Sequence, residues 1–174
     1  MKTTFKVLIS IVAVLFALSA VLFFFAYSSG AIGLSLRQLD KEAANISFAT
    51  EQMKSVRVVD DNLCVRLLYN EALGDYEYFI YVNRDGFSFG YFFVQGGSDA
   101  KIKDDVALFE YEDKIILVSL NKVGVAEIHH DGIQHSSKYY KDPAEPFLEV
   151  ISPADNPETI TLYDSDGEII PLIP

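Results

Sequence analysis

The sequence predicts a mainly β chain: an N-terminal single transmembrane helix, a short juxtamembrane helix, then an antiparallel β-sandwich, barrel or curled meander. Three observations carry this. Val7–Tyr27 is an uncharged apolar run without Gly or Pro; apolar residues then recur every three or four positions as far as about Lys54; beyond Ser55 the period becomes two, in short runs separated by turn residues. The division that follows is 1–27 for the N-terminal tip and anchor, 28–54 for a spacer and the juxtamembrane helix, and 55–174 for the β domain.

The apolar run comes first because its length decides its role. As a helix, Val7–Tyr27 extends about 31 Å, the thickness of a bilayer's hydrocarbon core. Lys2 and Lys6 precede it, as they would in a secretory signal, and Ala26-Tyr27-Ser28 offers a small-residue cleavage pattern. The run exceeds the apolar core of about 7–15 residues that a signal peptide uses, and Phe23, Phe24 and Phe25 crowd its end. Retention as an anchor is therefore expected over cleavage near Ser28. Lys and Arg near the two ends of the helix nearly balance, but a short basic start ahead of the first apolar segment places the N-terminus inside and the domain on the extracytoplasmic side. A type IV pilin pattern, with a Gly before the apolar run and a Glu near its start, is absent: the first Gly is Gly30 and the first Glu is Glu42.

Charge narrows the range of partners. After Tyr27 the chain carries all 25 Asp and Glu against 12 of the 14 Lys and Arg, a balance of −13. Such a surface repels phosphate backbones and anionic headgroups, so nucleic-acid binding and electrostatic adsorption to a membrane are disfavoured. Cys64 is the single cysteine, which excludes an internal disulfide, and its place in the run Leu63–Leu68 marks it as a buried hydrophobe.

Ser28–Gly33 reads as a flexible small-residue spacer. Leu36, Leu39, Ala43, Ile46, Thr50 and Met53 then trace one helical face. Packing on the chain's own domain is the expected use of that face, and weak self-association through Leu36–Met53 is the alternative. The β region reads as ten strands: Val56–Asp60, Leu63–Asn70, Tyr76–Asn83, Phe87–Gln95, Val106–Tyr111, Lys114–Leu120, Val123–His129, Phe147–Ile151, Thr159–Tyr163 and Glu168–Ile173. The aromatic hairpin Tyr76–Gln95 is expected at the centre, buried on both faces and ended by Gly96-Gly97, with Ser98–Asp105 as a solvated loop.

Chemistry-bearing constellations are few. All three histidines fall within His129–His135. A two-residue Asp-Gly turn would place His130 and His135 on one face; a three-residue turn with a bulge at Gly132 would instead gather Glu127, His129 and His135, the only candidate metal ligands. Asp164-Ser165-Asp166-Gly167-Glu168 opens like a calcium loop but has Ile173 where a bidentate Glu is required, and reads as a hairpin turn. The pairs Asp60-Asp61 and Asp104-Asp105 fall in expected loops, where neighbouring acids point apart. No catalytic residue and no cofactor are assigned. The expected function is a membrane-anchored extracytoplasmic β domain, a non-catalytic binding or structural module of the cell envelope that meets the lipid bilayer through Val7–Tyr27 and a protein partner outside it. The alternatives are an envelope metal-binding protein or enzyme using the histidine hairpin, and a secreted protein released near Ser28.

Overall fold

A computed structural model describes residues 2–45, 53–84, 88–132, 136–152 and 159–172. Helix α1 (Lys2–Ser28) extends beyond the apolar run at both ends. It ends where Gly30 takes a left-handed conformation (φ +68°), which lets Gly30 N–H donate to Tyr27 O and Ala31 N–H to Ala26 O. These are the two bonds of a Schellman cap, which satisfies carbonyls the helix would otherwise leave open. Helix α2 (Leu36–Asn45) starts at a capping box that the sequence spells as Ser-x-x-Gln. Ser35 Oγ accepts from Gln38 N–H, and Gln38 Oε1 accepts from Ser35 N–H at 2.8 Å. The helix is described as far as Asn45; the later positions of its apolar face, Ile46 and Thr50, lie outside the described residues.

Eleven strands follow among the described residues, in three antiparallel sheets. The first sheet runs β1 (Lys54–Asp60), β2 (Leu63–Tyr69), β3 (Tyr76–Val82) and β4 (Phe92–Gly97) in chain order. The second has β6 (Lys114–Ser119) between β5 (Ala107–Tyr111) and β9 (Phe147–Ile151). The third runs β11 (Ile169–Ile170), β10 (Ile160–Tyr163), β7 (Glu127–Asp131) and β8 (Ser136–Tyr140). No closed barrel is formed among the described residues.

Alternation along the strands assigns each face to a core. Leu63, Val65 and Leu67 of β2 with Ile80 and Val82 of β3 join Ile116 and Val118 of β6 in one cluster. Ile115 and Leu117 point the other way, into a second cluster with Ile128 of β7 and Ile160 and Leu162 of β10. All six residues of β6 are buried, as a strand covered on both faces must be. The far face of the first sheet carries Cys64 and Tyr81, which meet Leu39 of α2 in a third cluster.

The centre of the domain is therefore β6 rather than the aromatic hairpin. Tyr78, Ile80, Tyr81 and Val82 are buried as expected, but β4 is an edge strand whose Phe93 and Val94 are exposed. Gly96 and Gly97 do not break it. They pair with Phe79 and Tyr78, and a Cβ on Gly96 would stand 2.6 Å from Tyr78 O, so the glycine is what allows the strands to approach. Ser98–Asp105 is not a loop throughout. Asp99 caps a short helix, α3 (Ala100–Asp104), that buries Ile102 completely against the first core. Strand β8 is an addition to the predicted set: Ser136–Tyr140 has too few apolar residues to announce a strand.

Candidate functional site

The histidine segment lies on β7, in the middle of the third sheet. Neither hairpin register expected for it occurs. The strand continues to Asp131, which pairs with Ser136, so His130 faces Ser137 and His129 faces Lys138 across a connection of residues 132–135. His135, the third candidate ligand, lies outside the described residues.

Strand alternation then separates the neighbouring histidines. His130 points inward with Ile128 and is 4% exposed, its Nε2 without a hydrogen-bond partner among the described residues. Glu127 and His129 point outward. His129 Nε2 lies 2.9 Å from Glu127 Oε1 without the alignment of a hydrogen bond, and its ring is 4.4 Å from that of Tyr163 on β10. Lys138 Nζ reaches the same carboxylate oxygen at 3.4 Å. The His129 imidazole and the Lys138 ammonium hold the Glu127 carboxyl below its ordinary range, against the opposing effect of desolvation. An ammonium this close competes with a metal cation for the carboxylate. No group of three or more His, Cys, Asp and Glu that could hold a metal is gathered among the described residues.

The other expected constellations resolve into structure. Asp61 stays exposed to water, but Asp60 does not share that role: its Oδ2 accepts from the buried Lys114 Nζ at 2.6 Å, with Asp61 at 3.7 Å and Ser152 Oγ at 3.2 Å. Burial opposes the charge on Lys114, yet these acids outweigh it and raise its pKa. The cluster ties β1 to β6, joining the first and second sheets. Asp164 Oδ1 accepts from the N–H groups of Asp166 and Glu168, each at 2.9 Å, and Gly167 is left-handed (φ +81°), which is the expected hairpin turn. Cys64 is fully buried and burial pushes its thiol pKa up, the opposite of what a nucleophile needs.

The most extensively built polar arrangement was not foreseen, and it lies where the helices meet the domain. Residues 28–33 are not a slack spacer. Phe89 N–H donates to Ala31 O at 2.7 Å, Gly33 N–H to Phe89 O at 2.6 Å, and Leu34 and Tyr91 exchange main-chain bonds at 2.8 and 2.7 Å. Two glycines permit this approach: a Cβ on Gly33 would stand 2.6 Å from Tyr91 O, and one on Gly90 would stand 2.8 Å from Leu34 O. Beyond this clasp, buried Arg66 donates to Leu39 O at 3.2 Å and to the Asp40 carboxylate, which also accepts from Arg57 at 2.7 Å. The Arg66 guanidinium, with Arg57, holds Asp40 below its ordinary pKa. The run Gly30-Ala31-Ile32-Gly33 shows small residues; that they mark close approach rather than slack depends on the partner Gly90, more than fifty residues away.

Fold and site together describe a mainly β chain clasped to an N-terminal helix that is long and apolar enough to cross a membrane. No protein-family model, no curated protein and no solved structure matches it.

Proposed function

We propose that the chain is a single-pass membrane protein that holds a non-catalytic, sandwich-like β domain on the extracytoplasmic side, as a binding or structural module of the cell envelope. The observation that carries this reading is the state of α1. Its apolar side chains from Ile9 to Phe25 are exposed, while Ser19 and Ser28 direct their hydroxyls to the carbonyls of Leu15 and Phe25. A helix that satisfies its own polar groups and leaves its apolar surface uncovered is suited to lipid. The glycine clasp supports a display role, because it fixes the domain at the helix end instead of letting it swing. The side of the membrane rests on the basic N-terminal tip. A protein partner outside the membrane belongs to the same reading. Self-association through Leu36–Met53 is its weaker element, since Leu39 is turned into the chain's own core.

Protease added to intact cells tests the proposal. The expected outcome is digestion of the β domain with a small fragment retained in the alkali-washed membrane. A domain protected until the membrane is opened would overturn the orientation, and release of the whole chain by the alkaline wash would overturn the anchor.

A further inference from the structure

Three large apolar side chains stand exposed on the segment that follows α1 and on the chain paired with it: Ile32, Phe89 and, on β4, Phe93, at 38%, 58% and 56% of their surface. Two hydrogen bonds tie Phe89 to the end of the helix. Ala31 N–H donates back to Ala26 O at 2.9 Å, and Phe89 N–H donates to Ala31 O at 2.7 Å. Phe89 is thus two main-chain bonds from the last turn of α1, the turn that carries Phe25 and Tyr27, and Ala26 is 4% exposed although its neighbours on the helix are not. Ile32 pairs with Phe89 across a β-bridge, and Phe93 packs edge-on against Tyr81, whose ring lies in the core that holds Leu34 and Tyr91.

We propose that this patch is seated in the headgroup layer of the bilayer that α1 crosses, so that the domain rests on the membrane through Ile32, Phe89 and Phe93. The inference rests on the reading of α1 as an anchor. The interfacial layer of each leaflet is about 5–8 Å deep and aromatic side chains favour it, and Phe89 is held two main-chain hydrogen bonds from the last helical turn. The acidic balance of the domain makes the seat apolar rather than electrostatic. A zwitterionic membrane therefore suffices as its partner.

The chain contains no tryptophan, so single-tryptophan variants report depth directly. Full-length Phe93→Trp, Tyr27→Trp and Ile169→Trp proteins are reconstituted into phosphatidylcholine vesicles carrying lipids with a quencher at a shallow or a deep position. Phe89→Trp repeats the reading from a second position of the patch. Ile169 serves as the distant control, exposed on a sheet separated from the patch by two cores. The expected result is that positions 93 and 89 are quenched by the shallow label to about the extent of position 27, and position 169 is not. Quenching at 27 without quenching at 93 and 89 overturns the seat and leaves the anchor standing; no quenching at 27 overturns both. Quenching at 169 equal to that at 93 means general adsorption and overturns the seat. A response at 93 that disappears when the protein is diluted to one chain per vesicle marks a contact between copies, which also overturns it.

Discussion

Asn121 occupies a left-handed position (φ +57°) after β6, and its buried side chain holds three main-chain groups: it accepts from Val125 N–H at 2.7 Å and donates to the carbonyls of Val125 and Asp142. Replacing it with Ala strands those groups and removes a side chain that tolerates this backbone. Asn121→Ala should cost about 1–3 kcal/mol, read as a lower urea midpoint with an unchanged slope. Two carboxylates at this scale make stability depend on pH. Asp40 and Glu127 titrate below their ordinary values of 3.8 and 4.5 when folded. The unfolded chain therefore binds more protons in that range, so their contribution is complete above those values and is lost as pH falls through the lowered folded ones. In Asp40→Asn and Glu127→Gln the gap in urea midpoint from the parent, present at neutral pH, should close on acidification. A gap independent of pH would mean that these carboxylates act through shape alone.

Among the elements, the segment 31–34 holds the end of α1 to the β domain. It makes one short bridge on each side of Gly33, and Gly33 and Gly90 leave no room for a side chain at either contact. Gly33→Ala should cost about 1–3 kcal/mol through overpacking against the Tyr91 backbone. It should also expose residues 28–35 to limited proteolysis while the strands behind them stay protected, which hydrogen exchange would resolve segment by segment. Helix α2 illustrates how far local signals reach. Ser35 and Gln38 at capping-box spacing mark its start and Leu39 its buried face, whereas the buried Arg66 that grips its Asp40 belongs to β2 and is adjacent only in the fold.

For the whole molecule, β6 lends one face to each of two cores, so the three sheets should unfold as one cooperative unit. Ile116 serves the core toward the first sheet and Leu117 the core toward the third, and both are completely buried. Ile116→Ala and Leu117→Ala should each cost about 2–5 kcal/mol, and each should lower a single unfolding transition instead of splitting it in two. Two transitions would show that the sheets are independent.

The sequence by itself determined the elements that local chemistry specifies: an apolar helix at the N-terminus, antiparallel strands where the period is two, and turns at Asp-Gly pairs such as Asp166-Gly167. It also indicated that Cys64 is a packing residue and that Asp164–Glu168 is a turn. Only the tertiary structure decided the rest, because pairing partners lie far apart in the chain and period two fixes a strand's two faces without saying what covers either. That is why β6, with its apolar run Ile115–Val118, proved central while β4, which also opens on an apolar run, Phe92–Val94, became an edge. It is also why β7, running on to Asp131 and pairing there with Ser136, took neither hairpin register that the Asp-Gly pair suggested, and why the small residues before Gly33 form a clasp instead of a hinge.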